Sequence, residues 1–331
     1  MNQSLSNSIE ASVPDSPDGT NRSIRFTVFT PTYNRSSMLH RVYESLCAQT
    51  VRNFEWLIVD DGSTDDTAEK VKEWIEEGGF PIRYIKQPNQ GKHIAFNTGV
   101  ENASGELFLT ADSDDRFKPQ ALERFEFHWC SIPEGQREHF VGATCLCENE
   151  QGALVGDLFP SDVIDSDSAE IRYRYKANGE KWGFQRTEVL KNHPFPPVDK
   201  KKGYTVVPED IVWLSIATRF KTRFFNERLR IFHIYDEGES LTRTPLPIEL
   251  IASGLLDLQR VVLNTQWKYV RVSPFEFVMV GLRYARFAMH AKVGTRQALA
   301  SLTQKNARRL VLTLWPFALL IRQRDQWLGK I

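Results

Sequence analysis

Three carboxylates lie within four residues at Asp112, Asp114 and Asp115, directly after the apolar run at 107–109. An apolar run bounded by polar residues predicts a buried strand, so these acids stand where that strand leaves the core. Two carboxylates about 5 Å apart repel by roughly 3 kcal/mol at an effective dielectric of about 20. A divalent cation removes this repulsion, and oxygen ligands suit Mg²⁺ or Mn²⁺. The alternative is a solvated acidic turn that caps a helix starting near Pro119.

Two further polar loops follow predicted strands nearer the N-terminus. Alternating residues at 24–30 predict the first strand, which runs into a polar loop at 30–35. A second predicted strand at 54–59 runs into an acidic loop at 60–66. Strands alternate with helices up to Asp112, which predicts an α/β fold with a doubly wound, mainly parallel sheet. Such sheets bind ligands at the carboxyl ends of their strands, so we expect the three loops to converge on one crevice.

Six short segments give the chain a family resemblance. They are PTYNR at 31–35, VDDGSTD at 59–65, NQGK at 89–92, NTG at 97–99, ADSDD at 111–115 and ED at 209–210. Their order and spacing over residues 26–213 resemble those of the family 2 glycosyltransferases. The resemblance implies the GT-A fold, a Rossmann-like α/β arrangement with a doubly wound, mainly parallel sheet. Here a mostly helical C-terminal extension follows that sheet.

The resemblance also implies how a nucleotide-sugar donor binds. In this family the first polar loop and the second acidic turn hold the base and the ribose, which here implies Thr30, Thr32 and Asp61. Asp61 would accept a hydrogen bond from the uracil imide N–H, a role that suits an ionised carboxylate because it only accepts. Lys92 would lie near the diphosphate, and Asp112 would complete the set of residues around the nucleotide-sugar.

The metal and the catalytic base are assigned by the same resemblance. Asp112 and Asp114 resemble the family's DXD element, whose Mn²⁺ or Mg²⁺ bridges the two phosphates and neutralises charge on the leaving group. Asp210 matches the family's catalytic carboxylate, which takes the proton from the acceptor hydroxyl. The alternative for Glu209 and Asp210 is two acids that stabilise a helix N-terminus. Trp182 suits either stacking on a sugar face or a place in the core.

The function implied is an inverting, metal-dependent glycosyltransferase. It would move a sugar from a UDP-sugar to a hydroxyl of a saccharide or lipid-linked saccharide, in bacterial surface polysaccharide or glycolipid synthesis. One alternative is a sugar-phosphate nucleotidyltransferase, which needs a glycine-rich first loop that residues 31–34 do not supply. Another is a catalytically silent, nucleotide-sugar-binding scaffold subunit, against which Asp210 beside both DXD carboxylates argues.

Composition and pattern predict three regions. Residues 1–22 are polar and predict a disordered tail without a signal peptide. Residues 23–245 form the predicted catalytic domain, with a donor half at 23–118 and an acceptor half at 119–245. Residues 246–331 form a basic helical region, and from residue 257 onward the chain has 13 Lys and Arg against 3 Asp and Glu. The formal net charge of the whole chain is zero, so we expect no nucleic-acid partner.

The cysteines and the C-terminal segment indicate where in the cell the protein is expected. The four cysteines lack zinc-site spacing and predict reduced thiols in the cytoplasm. No apolar run reaches the roughly 20 residues that a membrane span needs. The segment at 308–327 mixes cations with large apolar residues, namely Leu310, Leu314, Trp315, Phe317 and Leu320. It predicts either a helix lying peripherally on the inner face of the plasma membrane or a helix docked on the catalytic domain.

Overall fold

A computed structural model of the chain describes residues 8–10, 24–197, 207–233 and 247–327. These residues group into two compact units. The first takes its described residues from Met1–Ser166, Ala177–Pro194 and Lys221–Ile234. The second takes them from Asp167–Lys176, Phe195–Phe220 and Tyr235–Ile331. No helix among the described residues is both long enough and apolar enough to span a membrane.

All the described strands belong to the first unit. In chain order they are β1 (Ser8–Glu10), β2 (Phe26–Thr32), β3 (Phe54–Asp60), β4 (Ile82–Lys86), β5 (Leu107–Thr110), β6 (Arg116–Phe117), β7 (Phe140–Asn149), β8 (Val163–Ser166), β9 (Lys181–Arg186) and β10 (Lys221–Phe232). The helices are α1 (Ser36–Cys47), α2 (Thr67–Glu77), α3 (Lys92–Asn102), α4 (Ala121–Cys130), α5 (Ser168–Tyr173), α6 (Thr187–Lys191), α7 (Asp210–Ile216), α8 (Ile248–Thr265), α9 (Pro274–His290), α10 (Thr295–Ala300) and α11 (Lys305–Trp327).

The strands form one mixed sheet in the order β1-β4-β3-β2-β5-β9-β7-β10-β6, with β8 paired to β10. The four strands β4, β3, β2 and β5 run parallel. Every residue of β2 and β3 is buried, as expected for central strands covered on both faces. The predicted α/β fold with its doubly wound, mainly parallel sheet is therefore confirmed, and the carboxyl ends of these four strands lie along one edge.

Strand β9 is the element that the sequence pattern did not reveal. It lies between β5 and β7 and runs antiparallel to both. Only Trp182 and Phe184 of its six residues are buried, so its alternating pattern is too short to stand out. The pairing with β7 is very close: a Cβ atom on Gly142 would lie 1.9 Å from the carbonyl oxygen of Phe184. Glycine is required there because any side chain would collide with backbone.

Aromatic side chains dominate the core of the first unit. Trp182 is 4% exposed, its indole N–H donates to the Thr110 carbonyl at 2.6 Å, and its ring packs against Phe117 and Phe125. Of the two interpretations of Trp182, the core position is therefore confirmed. Cys145 and Cys147 are buried in the same core as free thiols.

The second unit is helical. Helices α8, α9 and α11 surround a core that includes Phe277 and Tyr284. The segments 167–176 and 195–220, which the sequence suggested as part of an acceptor half, group with these helices. Within the predicted N-terminal tail, Ser8–Glu10 pair antiparallel with β4. Residues 1–7 and 11–23 lie outside the described residues.

Candidate active site

The loops that follow β2 and β3 are joined by hydrogen bonds. The Asp61 N–H donates to the Thr32 carbonyl at 2.9 Å. The Asn34 side chain accepts from the Thr64 N–H at 2.8 Å, and the Asn34 N–H donates to the Ser63 hydroxyl at 2.9 Å. The structure thus brings the first two polar loops together at the carboxyl edge of the sheet, as the strand order predicted.

Asp61 organises the entry to α3. Its carboxylate is buried and accepts from the Gln87 amide at 2.7 Å, the Gln90 N–H at 2.9 Å and the Gly91 N–H at 2.7 Å. Gly91 has a φ of 98°, which favours glycine at the residue before the helix. A carboxylate offers about four acceptor positions, so three partners leave room for one further donor.

Thr30 and Thr32 differ in their environment. Both are buried, but the Thr30 hydroxyl accepts from the Trp56 indole N–H at 2.9 Å. The Thr32 hydroxyl has no hydrogen-bond partner within the described part of the chain. A buried polar atom without a partner is unfavourable and calls for an explanation, and a bound ligand is one. Thr32 is therefore the better placed of the two to contact a nucleotide.

His93 is a candidate that sequence reasoning missed. Its Nε2 atom is buried and lacks a hydrogen-bond partner among the described residues. Burial lowers the pKa of His93, with the nearby Asp61 carboxylate opposing that shift. The ring is therefore neutral at pH 7 and has one nitrogen able to donate. The only signal in the sequence was its position directly after Lys92, at the start of a predicted helix.

Lys92 connects this loop set to the acidic loop after β5. Its Nζ atom lies 2.9 Å from Oδ1 of Asp112. Burial opposes ionisation of Asp112, but Lys92 and Arg230 outweigh it and hold the pKa of Asp112 below its ordinary value. The Asp112 carboxylate is therefore ionised at neutral pH, which is the form that a metal ion binds.

Asp115 orients the acidic loop. Its Oδ2 atom accepts from the Asp112 N–H at 2.9 Å, and its own N–H donates to the Asp112 carbonyl at 2.9 Å. Its Oδ1 atom lies 2.7 Å from the Arg230 guanidinium. Burial raises the pKa of Asp115, which Arg230 opposes. The helix-cap interpretation of this loop is wrong, because β6 follows the acids and α4 begins only at Ala121.

Arg230 is the second residue that the sequence did not single out. It lies on β10 and is 9% exposed, so its charge is buried with that of Asp115. The contact joins residues 115 positions apart, and no local pattern predicts such a pair. By holding Asp115, Arg230 fixes the backbone of the loop that carries Asp112 and Asp114.

The predicted metal ligands satisfy only part of a coordination shell. Asp112 and Asp114 are both partly exposed. The described residues include no group of three or more His, Cys, Asp or Glu side chains that could hold a metal ion. A pair of carboxylates fits Mg²⁺ or Mn²⁺ that completes its octahedron with substrate phosphates and water, and it does not fit an all-protein cage. The donor set therefore suits a cation shared with a phosphorylated ligand.

Asp210 belongs to the second unit. It is the first residue of α7, and its carboxylate lies 3.7 Å from Arg172, which also contacts Glu276 at 3.3 Å. The Asp210 side chain is 52% exposed. This position keeps the carboxylate available to solvent and also suits a helix N-terminus, so both interpretations of Asp210 remain.

Comparisons with known proteins place the fold. S. aureus TarS 1-349, solved with UDP-GlcNAc, aligns with a TM-score of 0.56 and 17% identity over 92% of each chain. The mannosyltransferase PcManGT from Pyrobaculum calidifontis, solved with GDP-Man and Mn²⁺, aligns with a TM-score of 0.50 and 18% identity over 97% of this chain and 92% of that chain. These likenesses show that the fold is that of the GT-A glycosyltransferases.

Sequence comparison gives the family. Residues 27–134 match the family model "Glycosyl transferase family 2". The Campylobacter jejuni GalNAc(5)-diNAcBac-PP-undecaprenol beta-1,3-glucosyltransferase is 24% identical over 88% of this chain and 92% of its own length. Three other bacterial glycosyltransferases match 99 to 146 residues at 34% to 40% identity, and the chain spans only 16% to 31% of their length. Residues 27–134 therefore form a family 2 glycosyltransferase domain.

Proposed function

We propose that the chain transfers a sugar from a UDP-sugar to an acceptor hydroxyl, with inversion at the anomeric carbon. One observation carries this proposal: a path of contacts along the carboxyl ends of the parallel strands. The path leads from Thr32 to Asp61, from Asp61 to the turn before Lys92, and from Lys92 to Asp112. A nucleoside diphosphate needs polar groups for its base and charged groups for its phosphates, and this path offers them in that order.

The nucleoside would bind at the first part of this path. The Thr32 hydroxyl and His93 Nε2, both buried, lack partners among the described residues, so each gains a hydrogen bond on binding. The Asp61 carboxylate has one acceptor position left for the imide N–H of uracil. Thr30 would act indirectly, because its hydroxyl already accepts from Trp56.

The diphosphate would bind at the second part of the path. Asp112 and Asp114 would hold Mn²⁺ or Mg²⁺, which neutralises charge on the departing diphosphate when it is bound. Lys92 keeps Asp112 ionised and brings a positive charge to the same place. The Arg230–Asp115 pair keeps the backbone of the loop in position. Support for the metal comes from the two-carboxylate donor set and from the Mn²⁺ in the PcManGT structure.

Asp210 would act as the general base. Its carboxylate takes the proton of the acceptor hydroxyl as that oxygen attacks the anomeric carbon. The new glycosidic bond forms on the face opposite the breaking bond to the diphosphate, through a transition state with oxocarbenium character. We further propose a lipid-linked saccharide as the acceptor, as in bacterial surface polysaccharide or glycolipid synthesis, because the C. jejuni relative is named for an undecaprenol-linked one.

Thermal-shift measurements test the donor and the metal together. UDP with Mn²⁺ should raise Tm by several degrees at about 100 times Kd, whereas UDP without metal should raise it far less. GDP with Mn²⁺ is the matched control for the identity of the nucleobase. A response to UDP that does not depend on metal, or no response at all, contradicts the proposal. Stabilisation by a nucleoside triphosphate with a sugar phosphate would favour a nucleotidyltransferase instead.

Asp210→Asn should lower the transfer rate by about 10² to 10⁴-fold while Kd for UDP with Mn²⁺ stays unchanged. The amide keeps the size of the side chain but cannot take the proton. Turnover is measured as UDP release with the acceptor present, and Glu209→Gln is the control expected to keep activity. Full turnover in Asp210→Asn would exclude Asp210 as the base. Absence of UDP release by the wild-type protein with every acceptor tested would favour a catalytically silent scaffold.

A further inference from the structure

Helix α11 is held to its own unit by one face. Val311 and Ala318 are fully buried, and Leu310 and Leu314 pack against Gly281 of α9. Two of the apolar residues that suggested a membrane helix from the sequence, Leu310 and Leu314, thus serve this internal contact. One face of α11 therefore docks within the second unit. The side chains on its other faces do not take part in this contact.

A second face of α11 carries large apolar side chains in solvent. We call it the outer face of α11, and it consists of Leu312 (57% exposed), Phe317 (59%), Leu319 (40%), Leu320 (63%) and Trp327 (86%). The spacing 312, 319–320 and 327 repeats every two helical turns, so these four side chains form one stripe, and Phe317 lies beside it, about 60° around the helix from Leu320. The stripe from 312 to 327 is about 22 Å long at the α-helical rise of about 1.5 Å per residue. Exposed apolar groups in such a row mark an interaction surface.

Cations frame the outer face at both ends. Lys305, Arg308 and Arg309 precede it and are exposed, and Arg324 lies exposed before its last residue. The acid of the described helix, Asp325, is 6% exposed and lies 2.6 Å from Arg286 of α9. The helix thus presents apolar and positive groups to solvent without an exposed acid among its described residues.

We propose that the outer face of α11 lies on an anionic phospholipid surface. The apolar side chains would enter the boundary between headgroups and acyl chains, and the arginines would meet lipid phosphates. Trp327 suits the headgroup level, where an amphipathic ring is favourable. The positive charges at both ends of the apolar stripe favour a negatively charged bilayer over a second copy of this unit, which would bring like charges together.

This surface extends the proposed function, because a lipid-linked acceptor resides in a bilayer. The inference itself rests on the geometry and charge of α11 and does not require the transfer reaction to be correct. Vesicle binding without any sugar transfer would leave the membrane surface in place and would count against the proposed enzyme alone. Transfer to a soluble acceptor without vesicle binding would leave the proposed enzyme in place and would count against the membrane surface alone.

Sedimentation of the full chain with vesicles tests the surface. The probes are vesicles of phosphatidylcholine alone and vesicles that also contain phosphatidylglycerol. We expect binding to the second kind, weakened by salt, and a loss of at least about tenfold in the partition coefficient for Phe317→Glu with Leu320→Glu. Leu158→Glu, which alters a 57% exposed leucine of the first unit, is the matched control and should bind normally.

A second measurement keeps the test valid if the double variant misfolds. Brominated lipids should quench tryptophan fluorescence of the wild-type protein only in vesicles with phosphatidylglycerol, and Trp327→Phe should remove most of that quenching. Equal sedimentation with both vesicle types, or none, overturns the proposal. So does a concentration-dependent dimer of the wild-type protein that Phe317→Glu with Leu320→Glu abolishes without any vesicle binding, since the occupant is then a second copy.

Discussion

Carboxylates occupy both ends of the parallel strands, and their environments are opposite. Glu55, near the start of β3, has no exposed surface and accepts from the Thr27 hydroxyl at 2.6 Å and from the Ser104 N–H at 2.7 Å. Arg83 supplies the opposite charge at 3.2 Å. At the other end of the sheet, Asp112 and Asp114 are partly exposed, and the described residues add no third side chain to make them a metal-binding group.

This contrast separates carboxylates that stabilise the fold from carboxylates that are available to a ligand. A buried carboxylate with its hydrogen bonds and its charge satisfied contributes to the folded state and has nothing left to offer a ligand. Carboxylates at a strand end that stay partly exposed remain accessible to a cation or a ligand. Matched acid-to-amide substitutions should therefore lower activity at the carboxyl end of the sheet and lower stability at the amino end.

Asp114→Asn should produce the largest effect on activity. We expect a loss of about 10³-fold or more in turnover, because the proposed metal contact to the leaving diphosphate would be lost. The free energy of unfolding without nucleotide should stay within about 0.5 kcal/mol of wild type, as for other surface positions. UDP release and urea denaturation measure the two quantities. If Asp114→Asn lost as much stability as a Glu55 variant, the two ends of the sheet would not differ in the way proposed.

Glu55→Gln should produce the largest effect on stability. Replacing the buried, paired carboxylate leaves donors unmatched at the amino end of the sheet, and we expect a loss of about 2 to 4 kcal/mol. The Kd for UDP with Mn²⁺ should stay close to wild type at a temperature where the variant is folded. Urea denaturation and calorimetric titration check both statements. Weakened UDP binding with unchanged stability would reverse the roles of the two ends.

Arg230→Met should combine both effects at an intermediate size. It leaves Asp115 buried without its cation, which should lower the free energy of unfolding by about 3 kcal/mol. It also releases the loop that carries Asp112 and Asp114, so UDP binding with Mn²⁺ should weaken more than UDP binding without metal. Arg230→Lys, the conservative control, should restore part of the metal-dependent affinity. An equal loss of both UDP affinities would indicate a structural role only.

A third carboxylate, Glu227, predicts the smallest effect, seen as a pH dependence. Hydrogen bonds from Arg124 and His128 lower the pKa of Glu227, and burial lowers the pKa of His128. Both depressed values mean that the unfolded chain binds more protons, so stability should fall as pH drops below about 6.5 for His128 and below about 4.5 for Glu227.

The His128 contribution can be isolated between pH 7.5 and pH 5.5. Across that interval we expect the wild-type free energy of unfolding to fall as His128 takes up a proton in the unfolded chain, and His128→Gln should flatten the slope. Urea denaturation at each pH gives the values. An identical slope in both proteins would show that His128 is not the group responsible.

The donor side of the fold could be predicted because its signals are local. Apolar runs that end in polar loops predicted the parallel strands and their common edge. The contrast between Thr30 and Thr32 could not be predicted, since it depends on whether Trp56 reaches the hydroxyl.

Long-range partners were outside the reach of sequence patterns. Arg230 looks like any strand arginine until β10 places it beside Asp115. The apolar residues of α11 gave the helix but not its faces, because partners on α9 decide that Leu314 points inward while Leu312 remains exposed. The role of Asp210 also stays a prediction, since the same two acids fit a helix N-terminus and a catalytic base equally well.

The Arg230–Asp115 contact sets an order of events during synthesis. Strands β2 to β5 are made early, but the arginine that anchors the acidic loop follows Asp115 by 115 residues. At about 5 to 20 residues per second, the nascent chain waits roughly 6 to 23 s for that anchor. The four parallel strands β2 to β5 are therefore synthesised well before the residue that anchors the acidic loop.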